Sequence, residues 1–364
     1  MHTLKTLGLF AVVALPAAGL HAQALPTAKP EAVGMSSARL DRIDKLVQDY
    51  IGKNMLAGTV TAVARKGKVV HLKAHGFRHK EENIPMTTDT IFVIMSMTKP
   101  IASTALMMLF EEGHFLLNDP VSNWLPEFAD PRFGGSRFGV AEASTAELAS
   151  ARPITVRHAL THTTGVRAAG RGGGQVGNIV ESINRSAARP LMFNPGERWS
   201  YGSSTDIVAA MVEVISGESL DEFARNRIFE PLGMVDTHYN VPESKTNRKS
   251  AVYSPDSARG NQIALRSAPR HVDPTTVFHG TYGLSSTAGD YLRFHQMILN
   301  GGELDGVRIL SPHTVSLMIT NHIGELPVSL KGPGYGFGLG YSILLDSGKS
   351  AEPLSPGTFG WGGA

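Results

Sequence analysis

Apolar residues along this chain recur first at helical spacing. Between Ser36 and Ile51 the positions Leu40, Ile43, Leu46, Val47, Tyr50 and Ile51 fall three and four apart, which is the period of one helix face, with serines placed to cap its start. The rhythm then changes. Gly58 to Ala64 and Lys68 to Ala74 are rich in strand-forming residues and are split by Arg65-Lys66-Gly67, so the pattern predicts an antiparallel hairpin turning on glycine. From Phe92 the chain enters a run carrying Ile101, Leu106, Met107, Leu109 and Phe110 and closing at Gly113. Because it is apolar on every side, it predicts a central, buried helix.

Further helices are predicted at Ile154 to Leu160, at Ile207 to Ile215 closed by Gly217, at Ser219 to Phe229 and at Leu292 to Leu299. Strand signals return at Tyr335 to Leu345 and Gly357 to Trp361, and Gly334 to Gly340 alternates glycine with bulky residues, as a strand with one crowded face does. Helices therefore dominate residues 95–270 and strands lie towards both ends. Strands from the two ends must meet in one sheet, which makes the expected fold α+β: an antiparallel sheet of residues 25–94 and 271–364, flanked by helices, with an all-helical subdomain inserted at 95–270.

Composition narrows the function. With 364 residues, 42% hydrophobic and 18% charged, the chain is globular and has ample core. A net charge of +2 is small for this length and gives no sign of a nucleic-acid surface or polybasic membrane contact, and small molecules are the expected partners. The absence of cysteine removes disulfides, thiolate catalysis and cysteine-ligated zinc together. Residues 1–24 stand apart: Lys5 precedes an apolar stretch from Leu7 to Leu20 that ends in Ala22-Gln23-Ala24. That is the form of a cleaved signal peptide, so the mature chain is expected in the periplasm or medium without stable membrane insertion.

Two motifs give little. The glycine-rich run Arg167 to Gly177 lacks the lysine ending and preceding strand of a phosphate loop. His158 and His162 are spaced to share a helix face, yet no glutamate or third ligand accompanies them, so packing is the expected role and no metal is assigned.

Ser96-Met97-Thr98-Lys99 carries more chemistry. At the start of a helix, residues three apart are neighbours, and a hydroxyl beside an amine is an activated nucleophile in the making. Free amides at the helix start suit an oxyanion. Such a spacing arises about once by chance in a chain of this size, and an N-cap serine with a surface lysine is the plainer reading. A proton acceptor is also needed, for which Tyr201, in a loop before a helix, is the candidate; a phenol serves once a neighbouring ammonium stabilises its ionised form.

The order of motifs supplies the context: Ser96 to Lys99, then Leu160-Thr161-His162-Thr163-Thr164-Gly165, then Tyr201-Gly202-Ser203, then Gly360-Trp361-Gly362-Gly363. In this order, and in Pro231 to Met234 and Gly283 to Thr287, the chain resembles the serine β-lactamase-like hydrolases: class C β-lactamases, DD-peptidases and family VIII carboxylesterases. The resemblance implies that Ser96 is acylated, that Lys99 or Tyr201 takes its proton, and that the amides of Ser96 and Ala364 form the oxyanion hole. It implies substrate contacts from Ser203, Trp361, Gly362 and Gly363, and no cofactor.

Three departures from that pattern matter. Trp361-Gly362-Gly363 replaces the Lys-Thr-Gly of the lactamases, so the lysine that meets a substrate carboxylate is missing and an aromatic wall stands in its place. Ser203 replaces the usual asparagine. The sequence also stops at Ala364, where the family continues through further strands and a terminal helix; the expectation is a C-terminally truncated chain with an exposed sheet edge and reduced stability. The first two favour an exported serine hydrolase of small esters over a β-lactamase or DD-peptidase acting on β-lactam-like substrates. Ser203 and the truncation point instead to a catalytically silent penicillin-binding-like sensor or scaffold, against which the intact Ser96, Lys99 and Tyr201 set argues. A nucleophile-elbow motif is absent, which argues against the α/β-hydrolase reading.

Overall fold

The computed structural model describes residues 24–133, 149–167, 177–269 and 274–363. The proposed signal segment up to residue 23, much of the loop between Arg132 and Ser150, most of Arg167–Gly177, and Ala364 lie outside the described residues.

Helix α1 (Ser37–Gly52) begins where Ser36 accepts the Arg39 amide, as a capping serine should. It packs on a ladder made by β1 (Gly58–Arg65), β2 (Lys68–His79) and the short β3 (Ile84–Pro85). Lys66 and Gly67 both have positive φ, 53° and 72°, the geometry of a two-residue hairpin turn. β4 (Phe92–Val93) then leads into a single 3-10 turn, Met95–Met97, and on to α2 (Thr98–Glu111). Ser96 is thus in a tight turn ahead of the α-helix rather than in its first turn. Pro100 sits where no amide donor is required.

Short β5 (Arg132–Phe133) and β6 (Ala149–Ser150) pair with each other; α3 (Val156–Leu160), α4 (Ile179–Ala187), α5 (Ser204–Ser216) and α6 (Leu220–Ala224) follow. Helices do dominate this stretch, with the hairpin β7 (Val252–Asp256) and β8 (Gln262–Ser267) added to them. The last part carries β9 (Ser285–Ser286), α7 (Ala288–Leu299), β10 (Glu303–Leu304), β11 (Val307–Arg308), α8 (Pro312–Met318), β12 (Tyr335–Phe337), β13 (Ser342–Leu344) and β14 (Phe359–Gly360).

The centre is α2 against α5. Thr98 through Leu109 are buried without exception, as are Ser204 through Val212, which is what a helix apolar on all sides requires. Two expectations are corrected. Tyr335 to Leu345 is not one strand but a hairpin: a Cβ on Gly338 would come 2.1 Å from the Met318 carbonyl, and one on Gly340, at φ +95°, would come 2.5 Å from Ser103 Oγ. The alternating glycines serve a close turn against α2 and α8. Among the described residues the two ends of the chain also form separate antiparallel ladders, β1–β2–β3 and β12–β13–β14, instead of one continuous sheet.

Candidate active site

Ser96 is held from both sides. β4 pairs with β9, the Ile94 amide donates to the Leu284 carbonyl at 2.9 Å, and the Tyr291 hydroxyl donates to the Met97 carbonyl at 2.8 Å. Thr98 Oγ1 closes the turn by donating to the Met95 carbonyl at 2.7 Å. Met95 adopts φ +47°, a left-handed conformation that is costly for a side chain of this size. The strain sits immediately before the serine whose hydroxyl the turn presents.

Lys99 Nζ lies 3.2 Å from Ser96 Oγ and 2.8 Å from the Thr281 carbonyl, and stands 4.5 Å above the Tyr201 ring. The lysine is only 3% exposed. Burial drives its pKa below the ordinary lysine value, and the charges of Tyr201 and Asp206 oppose that shift without cancelling it. An amine held in this way changes protonation state at lower cost than a solvated one, which suits a proton carrier.

Tyr201 arrives on the loop before α5. That loop is tied to the segment Thr161–Gly165 by the Ser200 amide donating to the His162 carbonyl at 2.9 Å and by Thr164 Oγ1 meeting Ser204 Oγ at 2.9 Å. The Tyr201 hydroxyl receives the indole N–H of Trp361 at 3.2 Å, and the two rings lie 5.1 Å apart. Around them Trp199, Phe337 and the His162 ring close an aromatic box, with His162 5.1 Å from Tyr201 and 5.4 Å from Phe337. Burial, together with the charge of Lys99, pushes the His162 pKa down to about 3, so this imidazole stays neutral and adds no positive charge beside the lysine.

The end of the third motif reaches the nucleophile. A Cβ on Gly363 would fall 2.1 Å from the Ile94 carbonyl and 3.1 Å from the Ser96 amide nitrogen, so the β14 extension runs directly past the turn and only glycine fits. Gly362 is exposed with open space beside it. Ser203 is buried at the start of α5, two residues past Tyr201. The structure therefore gathers Ser96, Lys99, Tyr201, Trp361 and Gly363 at one place.

His158 and His162 do not share a helix face. α3 ends at Leu160 and His162 has φ +58°, while His158 Nδ1 accepts the Thr155 amide at 3.1 Å in a capping box. Sequence reasoning also passed over two participants. Asp206 lies 7% exposed on α5, and its signal was a carboxylate inside an apolar run. Thr281 offered no signal, since it acts through its carbonyl.

A family model described as beta-lactamase matches residues 43–364. The chain belongs to the beta-lactamase family. An uncharacterized protein of Mycobacterium tuberculosis is 32% identical over 347 residues, covering 89% of this chain and 85% of the relative. Esterase EstB of Burkholderia gladioli is 30% identical over 366 residues, covering 92% and 88%. Among solved structures, EstCE1, described as a hydrolase with promiscuous acyltransferase activity, superposes with a TM-score of 0.74 at 26% identity, covering 89% and 87%. This member of the beta-lactamase family is an α+β serine hydrolase whose substrates are small molecules. Among the described residues no helix is long and apolar enough to cross a membrane.

Proposed function

We propose that the protein is an exported carboxylesterase that forms an acyl-enzyme on Ser96. The observation that carries the ester assignment is Trp361, whose indole stands over Tyr201 where a carboxylate-binding lysine would be needed for a β-lactam or peptide. The wall behind it, Trp199, Phe337, Val328 and Leu344, is apolar and favours an alkyl or aryl group over a charged one. The relationship to esterase EstB supports the same reading. The apolar leader at residues 1–24 supports export.

In this mechanism the Ser96 oxygen attacks the ester carbonyl carbon while its proton passes to the Lys99–Tyr201 pair. The negative oxygen is held by the Ser96 amide and by that of Ala364, the neighbour of Gly363. The pair returns the proton to the departing alcohol as the C–O bond breaks. Water then attacks the acyl-enzyme, gives up a proton by the same route and releases the acid and Ser96. Ser203, Trp361, Gly362 and Gly363 line the substrate side.

Incubation of the full chain with a fluorophosphonate, followed by mass spectrometry, is expected to place one adduct on Ser96. Hydrolysis of a short p-nitrophenyl ester is expected to exceed that of nitrocefin and to fall by at least ~10³-fold in Ser96→Ala. Absence of the adduct would identify a silent protein. Faster turnover of nitrocefin would overturn the ester assignment.

A further inference from the structure

We propose that Asp206 is a positioning residue for Lys99, acting through the segment His279–Thr281; this deepens the hydrolase reading above and rests on it. Asp206 lies on α5 five residues after Tyr201 and faces away from solvent. Its Oδ1 receives the Thr281 amide at 3.1 Å and the Thr281 hydroxyl at 2.8 Å, and its Oδ2 lies 3.2 Å from His279 Nδ1. The carbonyl of the same Thr281 accepts Lys99 Nζ at 2.8 Å. One residue thus links the carboxylate to the lysine, its N–H and O–H turned to the first and its C=O to the second.

The segment has little freedom to move otherwise. A Cβ on Gly280 would come 2.1 Å from the Thr205 carbonyl and 3.1 Å from the Ala209 Cβ, so the loop lies flat on the first turns of α5. On its far side the Tyr239 hydroxyl donates to the His279 carbonyl at 2.8 Å, and the Tyr282 ring stacks on His279 at 4.5 Å. Two pieces of the site therefore share α5 as a base: Tyr201 precedes the helix, and Asp206 on the helix sets where the lysine points. A buried ammonium also needs a compensating charge. Asp206 is the carboxylate whose charge, together with Tyr201, opposes the effect of burial on Lys99.

The groups facing Lys99 are Ser96, Tyr201, His162 and, through Thr281, Asp206; those facing Asp206 are His279, Thr281, Lys99 and Tyr239. Removing the charge of Asp206 while keeping its shape should disfavour the ammonium. The limb of the pH profile that reports Lys99 then moves to lower pH, and a merely structural role would leave that limb in place.

The test is Asp206→Asn in the full chain, with p-nitrophenyl ester kinetics across pH, thermal melting, and the rate of fluorophosphonate labelling at Ser96. Expected are a fall in kcat of about 10- to 100-fold, as for the loss of a charge-assisted contact, KM changed by less than about threefold, and a Lys99 limb displaced towards acid. Labelling should slow in step with kcat. A folded Asp206→Asn protein with wild-type kcat, or one whose activity falls while the limb stays in place, overturns the proposal. Should that variant not fold, Thr281→Val keeps the carboxylate and removes one donor. It should lower kcat by about 3- to 10-fold at unchanged KM, and unchanged kcat there overturns the proposal equally. Wild-type protein labelled normally at Ser96, with Asp206 silent, sinks this proposal alone, whereas no labelling of the wild type sinks the hydrolase reading beneath it.

Discussion

At the scale of single residues, the contact that distinguishes this site is the indole N–H of Trp361 on the Tyr201 oxygen. A donor aimed at a phenol oxygen stabilises negative charge there, and hydrogen bonds to charged groups are worth about 1.5–3 kcal/mol. Trp361→Phe keeps an aromatic wall and removes the donor, so kcat for a p-nitrophenyl ester should fall by about tenfold or more with KM nearly constant; a rise in KM alone would show that the ring only packs the substrate. Ser96 and Lys99 were legible in the sequence because their relation is local, three positions along one turn. Tyr201 became legible through the order of motifs along the chain. The link from Asp206 to Lys99 was not, because it runs through a carbonyl 75 residues from the carboxylate and 182 from the lysine, and backbone groups carry no sequence signature.

At the scale of elements, the 3-10 turn at Met95–Met97 is clamped between β9 and the end of β14. Gly363→Ala places a methyl group on the Ile94 carbonyl and close to the Ser96 amide. The strand end must shift, so turnover of a p-nitrophenyl ester should fall by at least about tenfold, as for disturbed oxyanion donors. Melting temperature should change little, since Gly363 is exposed. Gly340→Ala is the opposite case: its Cβ would strike Ser103 on the buried face of α2 at a φ of +95°, and thermal melting should drop by several degrees. The hairpin β1–β2 and helices α1, α2 and α5 could be anticipated because period and turn chemistry are local properties. The β12–β13 hairpin could not: its glycines answer to Met318 and Ser103, neighbours brought there by tertiary packing, and in the sequence they imitate the alternation of a strand.

At the scale of the whole molecule, burial depresses several histidines at once. His158, His238 and His295 are pushed down to about 4 and His162 to about 3 from an ordinary 6.5. Between those values and 6.5 the unfolded chain binds protons that the folded chain refuses, so stability falls as pH drops through this window. Asp290 works the other way: burial raises it from 3.8 to about 6, so the folded form keeps a proton there and its contribution fades as pH rises across that range. Burial raises Glu213 and Asp221 in the same direction as Asp290, but it lowers His71 and His322 as well, and these histidines outnumber the three carboxyls, leaving a net acid lability. Melting temperature should fall steadily from pH 7 to pH 5, and His295→Phe should flatten the slope; a melting temperature independent of pH would contradict the assignment. The span of the site has a further consequence. Trp361 meets Tyr201 across 160 positions, and Lys99 meets Thr281 across 182, so loop closure makes the constellation one of the late arrivals in folding. A chain still on the ribosome can already expose Ser96 and Lys99 beside one another, but until residue 361 has emerged it lacks the indole N–H that the Tyr201 oxygen receives. The catalytic constellation is thereby completed only once the β14 segment and its extension have been made and have folded back onto the Ser96 turn.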